Sequence, residues 1–499
     1  MDDLKKVAVI GLDGMAWHIL DRLFENDAMP YLKSIVENSL RGVLKSTIPP
    51  WTPPAWTSIA TGVNPGKHGI FDFLSVSNNY ELRLVSSYDV CYPRIHEMVA
   101  LRGLRAVCIN QPLTYPIIKM ENTFVISDWI SPKLCYYPKS LSKYVKSYKP
   151  STPAEAFIKY PKLAVNESLG RINAVNQLIK ELNWNLFWVI YTEPDHIFHG
   201  CYDKIMQGDN HLLKIFEEID KTIEIASKQA DMVLIISDHG FGEYKYVINV
   251  NSILYNLGFA AKTWRKITKS HEDFLTPHGA SREGVERIRL PFRLQKLLFK
   301  YPFLKSVMKK FYRKLTGKEL RAEKPDVDPF HSKAFLLSGT SCGIYVKDQT
   351  IIDCLVNKLK KVECIKRIYR REEVFRGPYL NRAAQVLIEP DYDKGYTIAA
   401  TAKIAPKSIL VETHYSHHPN GIIISFGKKI PALWLKEPVQ TIDIVPTILR
   451  YMDLPLPIDT DGTPIRYIDY PQKQVEYCDY LKHWKLIRQI QLKKPKLAI

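Results

Sequence analysis

Short apolar runs closed by polar turn residues recur along this chain, separated by stretches with helical periodicity. The first, VAVIGLD at 7–13, reads as a buried strand ended by an Asp-Gly turn. A helical pattern over 29–38 follows, then a strand near 42–47 and a short helix over 54–61. Further buried strands are predicted at 105–110, 186–191 and 232–237, with a helix over 211–229 before the last. From about 260 to 329 the alternation gives way to a basic, Pro-punctuated segment without clear buried strands. It resumes with AFLLSGTSCGIYV at 334–346, a helix near 351–361, a strand near 366–369 and GIIISFG at 421–427. The stretch 439–457 is helical in its middle, and the polar, aromatic and basic tail is helical too. Strands alternating with helices predict an α/β protein with a mostly parallel sheet. The expected organisation is a core in two parts, 1–259 and 333–465, an inserted basic cap at 260–332 and a C-terminal tail at 466–499.

Composition narrows the class. Apolar content of 46% and charged content of 24% are ordinary for a globular protein. No run is long and apolar enough for a signal peptide or a membrane span, so a soluble, cytoplasmic protein is expected. The eight cysteines are scattered without a C-x-x-C pair, which argues against a zinc ribbon or a disulfide framework. A net charge of +18 points to anionic partners. The excess concentrates at 287–318, which carries no acidic residue. Within it, 290–315 interleaves Leu, Phe, Tyr, Val and Met with Lys and Arg, as interfacial helices do, although Pro291 and Pro302 interrupt it. It reads either as a cap helix over the core or as a peripheral contact with anionic membrane. Nucleic acid is the weaker partner, since no recognised binding fold accompanies the charge.

In parallel sheets ligands bind beyond the carboxyl ends of the strands. Three predicted strand ends deliver acids and histidines there: Asp13, then Glu193 and Asp195 with His199 four residues on, then Asp238 and His239. Asp195 and His199 share one helical face at a spacing that suits two metal ligands. Each motif also has an ordinary reading: an N-cap Asp beside a surface His, or a polar turn at Asp13-Gly14 and at Asp238-His239-Gly240. ETHYSHHPNG adds His414, His417 and His418 just before another strand. Together these residues suit Zn²⁺ or Mn²⁺, and two neighbouring ions suit phosphoryl transfer. Such a site needs a hydroxyl at a helix start, where free amides and the helix dipole favour a phosphate. In PPWTPPAWTSIATG (49–62), Thr52 meets that need, with Pro53 and Pro54 in the first turn. Thr52 also reads as an N-cap, while Thr57, Ser58 and Thr61 fall inside the helix.

With these segments assembled, the chain resembles the alkaline phosphatase superfamily, and within it the type I phosphodiesterase/nucleotide pyrophosphatase family in its soluble archaeal or bacterial branch. The resemblance rests on GLDG (11–14), TPPAWTSIATGVNPGKHGIFDF (52–73), EPDHIFHG (193–200), SDHGF (237–241), HHPNG (417–421) and DIVPTIL (443–449). It implies a three-layer α/β/α sandwich with an inserted cap. It also implies a threonine nucleophile at Thr52 and two divalent ions, usually zinc. Asp13, Thr52, Asp238 and His239 match the ligands of one metal; Asp195, His199 and His417 match those of the other. The implied reaction is in-line attack by Thr52 on the phosphorus of a small phosphoester, a phosphothreonine intermediate and its hydrolysis.

One departure bears on specificity. Nucleotide pyrophosphatases place an Asn in the HGI segment to hold a phosphate oxygen, and here Phe73 stands there, with Asp72 and Lys67 as nearby polar substitutes. Neither the modified C/S-x-P-x-R motif of sulfatases nor the domain insertion of cofactor-independent phosphoglycerate mutase follows Thr52. The leading expectation is a phosphodiesterase or pyrophosphatase. The alternative is a phosphomonoesterase or phospho-alcohol transferase of the same superfamily, acting on lipid-linked or membrane-surface substrates through the basic cap.

Overall fold

The computed structural model describes residues 5–146, 148–263, 287–289, 319–321, 326–399 and 401–493. The basic run at 287–318, with the membrane and cap-helix readings placed on it, lies outside the described residues apart from the backbone of 287–289.

A ten-stranded sheet forms the centre. Its order is Leu433–Trp434, Leu40–Lys45, Asn420–Gly427, Met232–Ile236, Val7–Leu12, Leu186–Tyr191, Ala106–Ile109, Thr123–Ile126 and Tyr136–Tyr137, with Val439–Gln440 also paired to Leu40–Lys45. The strands run parallel except Asn420–Gly427 and the short Tyr136–Tyr137. Burial on both faces explains why these strands are continuous apolar runs rather than alternating ones. Along the first strand Ala8, Ile10 and Leu12 enter one hydrophobic cluster, while Val7 and Val9 enter the other. The first cluster is covered by the helices Trp17–Glu25, Pro161–Glu181 and Asn210–Ser227. The second is covered by Thr52–Thr61, Ile95–Leu101, Ile444–Tyr451 and Tyr480–Lys493. The result is an α/β/α sandwich.

Two features differ from the pattern-based expectation. Residues 334–346 do not rejoin the central sheet; their strands Ala334–Phe335 and Gly343–Val346 build a separate antiparallel sheet with Val386–Pro390 and Ile365–Arg370. That sheet encloses its own core, with Phe335, Ile344 and Leu355 fully buried. The histidine-rich stretch, for which the sequence predicts no element, is itself a strand: Ile409–His418 pairs antiparallel with Gly240–Ile248. In that strand Val411, Glu412 and Thr413 are exposed and only Ser416 and His417 are buried, so it carries no continuous apolar run.

Topology fixes where chemistry can occur. Five adjacent strands, from Leu40–Lys45 to Leu186–Tyr191, place one terminus each at the same sheet edge. Four present carboxyl ends there, and the antiparallel Asn420–Gly427 presents its amino end, just after His417.

Candidate active site

Thr52 opens the Thr52–Thr61 helix, whose ten residues are all buried. The preceding residue, Trp51, is the N-cap and has extended backbone, so Thr52 is the first helical residue rather than the cap. Its hydroxyl is thereby released from capping and lies 3.4 Å from His239 Nε2. The other hydroxyls of the segment are engaged. Thr57 and Thr61 donate to the carbonyls of Pro53 and Thr57. The Nδ1 of His68 accepts from the Ile70 amide, which leaves Nε2–H to donate to Ser58 Oγ.

The predicted acids and histidines converge on the same point. Asp195 Oδ1 lies 3.4 Å from His199 Nε2 and 3.3 Å from His417 Nε2, and the two imidazole nitrogens are 3.0 Å apart. His239 Nε2 lies 3.6 Å from Asp13 Oδ1 and 3.3 Å from Asp238 Oδ2. The His239 and His417 rings stack at 3.8 Å between centroids. Strand pairing explains this: Phe241 sits opposite His417 in the ribbon, bringing the neighbouring His239 alongside. Alternation along that strand places His414 and His418 on the face opposite His417. Gly14, at φ +72°, completes the turn after the first strand, and a Cβ there would lie 3.3 Å from Asp195 Oδ1.

Backbone and indole contacts orient these groups. His417 Nδ1 donates to the Pro50 carbonyl and His239 Nδ1 to that of Gly240, so both Nε2 lone pairs face the carboxylates. The Trp56 indole donates to Asp13 Oδ2, the Gly14 amide to Asp238 Oδ1, and the Trp51 ring packs 4.1 Å from His417. These supports are invisible to spacing rules, although Trp51 and Trp56 stand within the same conspicuous motif.

The site as described carries unbalanced charge. Burial, together with the neighbouring Asp238 and Asp195, pushes the Asp13 carboxyl well above the usual carboxylate range. Burial and Asp195 do the same to Asp238. Burial opposes ionisation of Asp195 too, but His199 and His417 outweigh it and hold this carboxyl low. Burial and His417 hold His239 well below its ordinary value. Burial brings His199 down to about 4, although 33% of its side-chain surface stays exposed. Asp13 Oδ1, Asp195 Oδ1 and Asp238 Oδ2 are buried without a hydrogen-bond donor. Three unpartnered carboxylate oxygens close to imidazole nitrogens suit divalent cations. Among the described residues two groups have ligand spacing within 4.8 Å: Asp195, His199 and His417, and Asp13, Asp195 and His239. Asp195 belongs to both.

The segment that departs from the nucleotide pyrophosphatase pattern is filled. Phe73 is buried edge-on against Trp129. Lys67 is held by the Asp459 carbonyl and by Asp461 at 2.8 Å. Asp72 Oδ1 accepts from Thr340 Oγ1 and the Phe73 amide, and burial raises its pKa to about 6.

Comparison with known proteins gives the family and the fold. The sequence matches the type I phosphodiesterase/nucleotide pyrophosphatase family over residues 7–323. No curated protein matches it. Among solved structures, phosphonoacetate hydrolase from Sinorhizobium meliloti 1021 in complex with phosphonoformate is similar at a TM-score of 0.53 and 16% identity, over 89% of this chain and 94% of that one. An inactive form of murine ectonucleotide pyrophosphatase/phosphodiesterase 5 in complex with AMP gives 0.52 and 13%, over 92% and 97%. The human counterpart gives 0.51 and 13%, again over 92% and 97%. At such identities the likeness establishes the fold, and the family match supplies the rest: the chain belongs to the type I phosphodiesterase/nucleotide pyrophosphatase family, phosphoester hydrolases of the alkaline phosphatase superfamily.

Proposed function

We propose that this protein is a two-metal phosphodiesterase or pyrophosphatase that works through Thr52. The observation that carries the reading is the convergence of Asp13, Asp195, Asp238, His199, His239 and His417 around the one hydroxyl of its segment left free of backbone and His68. Asp13, Thr52, Asp238 and His239 would hold one ion, and Asp195, His199 and His417 the other, with Asp195 near both. Carboxylate and imidazole donors in this ratio suit Zn²⁺ first and Mn²⁺ second. When bound, such ions lower the pKa of a hydroxyl and draw negative charge from phosphoryl oxygens.

The chain's own residues do the rest. The start of the Thr52–Thr61 helix offers amides and a dipole to a phosphoryl group. Thr52 Oγ1 releases its proton to solvent and attacks phosphorus, the new P–O bond forming as the bond to the leaving alcohol or phosphate breaks. Water then attacks the phosphothreonine and restores Thr52. A small phosphoester is the expected substrate.

Turnover of bis(p-nitrophenyl) phosphate by the zinc-loaded enzyme tests the assignment. Thr52→Ala should lower kcat by at least about a thousandfold while bound zinc stays near the wild-type level. Wild-type kcat in that variant would show that Thr52 is not the nucleophile.

A further inference from the structure

We propose that the corner between the helices Ala154–Lys159 and Pro161–Glu181 docks on an anionic lipid bilayer and presents lipid-borne phosphoesters to the site, a step that rests on the hydrolase reading above. Ile158, Tyr160 and Leu163 are 56%, 60% and 56% exposed, three large apolar side chains within six positions. Single exposed apolar residues are ordinary, but a cluster is not. The corner is rigidly seated, because Phe157, Ala164 and Val165 beneath it are buried in the core.

Charge decides between occupants. Lys159 and Lys162 alternate with the apolar residues and are exposed. Glu167, the next acid along the helix, is paired with Lys149. Glu155 is the one acid from 154 to 165. A twofold contact between two copies would bring the lysines of both copies into one apolar patch with only Glu155 of each to answer them, an excess of like charge that disfavours it. Anionic headgroups neutralise them instead, while Ile158 and Leu163 enter the acyl boundary and Tyr160 keeps its hydroxyl at headgroup level.

Position gives the surface a use. Ala154–Lys159 packs on Glu193–Met206, the helix that carries Asp195 and His199. A Cβ at Gly200, one residue past His199, would meet the Ala154 carbonyl at 2.8 Å and Ile158 at 3.3 Å. His199 is also the most solvent-exposed member of its ligand group. The apolar corner therefore adjoins the wet side of the site.

The test uses the full chain, loaded with zinc, and vesicles of equal parts phosphatidylcholine and phosphatidylglycerol against phosphatidylcholine alone. Wild type should co-sediment with the anionic vesicles at low salt and not with the neutral ones. The triple variant Ile158→Ser/Tyr160→Ser/Leu163→Ser should lose that binding by about tenfold or more, since apolar burial and charge act together. Its turnover of soluble bis(p-nitrophenyl) phosphate should stay unchanged, which separates this idea from the hydrolase reading. Lys159→Ala/Lys162→Ala provides a second variant that leaves the apolar contacts intact and should also weaken binding. Absence of wild-type binding overturns the proposal. So does wild-type binding by both variants, which would assign it to the basic 287–318 segment. A change of oligomeric state in the triple variant would also overturn it by making the corner a contact between copies.

Discussion

Asp72 shows how a single residue can be read from its surroundings rather than its neighbours in sequence. It is 4% exposed and has hydrogen-bond donors, Thr340 and the Phe73 amide, but no cationic ion-pair partner among the described residues. Burial raises its pKa from 3.8 to about 6, so the folded state holds a proton that the unfolded chain has already released. The sign follows from linkage: stability is full below about pH 4, falls as pH rises to about 6, and stays lower above it. Asn at this position keeps the acceptor oxygen and removes the charge. Asp72→Asn should therefore raise the unfolding free energy measured by urea denaturation above pH 6, by on the order of 3 kcal/mol, and leave it nearly unchanged near pH 4. A uniform loss at both pH values would show that the carboxylate is stabilised in some other way. At this scale the sequence was most legible where residue type and position coincide, as at Thr52, Asp195 and Asp238. It was least legible where a fold neighbour decides the role. Ser58 lies as close to the motif as Thr52, and only the contact with His68 shows that its hydroxyl is engaged.

Elements raise the question of what holds the helix of two candidate ligands in place. Glu193 starts the helix that carries Asp195 and His199, and Arg171 reaches it from the Pro161–Glu181 helix. Its guanidinium makes four hydrogen bonds and one further ion-pair contact. Nε and Nη2 go to Glu193 Oε1, Nη2 also to Ser168 Oγ, and Nη1 to the Lys149 carbonyl and Thr152 Oγ1. The Thr152 carbonyl in turn contacts His196 Nδ1 at 2.9 Å. Both side chains of the pair are nearly inaccessible, at 4% and 2%. Removing one partner strands a buried charge, whereas replacing both with apolar residues does not. Arg171→Met should cost about 3–5 kcal/mol, and Arg171→Met/Glu193→Met should recover most of it, by urea unfolding in a double-mutant cycle. Full additivity of the two single losses would rule out the coupling. None of this was visible in the pattern of apolar positions. The Pro161–Glu181 helix buries Ser168, Arg171 and Asn176 among its apolar residues, which blurs the period, whereas the strands at 7–12 and 186–191 stand out as unbroken apolar runs.

For the whole molecule, the site is where the separate pieces of chain are tied together. Its ligand candidates come from strand ends and loops spread from Asp13 to His417, all brought to one sheet edge by topology. As described, three of their oxygens are buried without a donor, a cost to the fold that each bound cation would offset. Metal should therefore act as a ligand for the native state alone, since the unfolded chain holds these residues far apart. Stabilisation then grows as RT ln(1 + [L]/Kd), or about 4 kcal/mol when free metal exceeds Kd a thousandfold. Chelator dialysis should lower the urea midpoint, and Zn²⁺ or Mn²⁺ should restore it in a concentration-dependent way. Asp195→Asn should abolish most of that response, because its carboxylate adjoins both ligand groups. Asp72→Asn should leave it intact. An unfolding midpoint indifferent to chelator, with metal content verified, would show that the converging carboxylates are balanced by protons rather than cations.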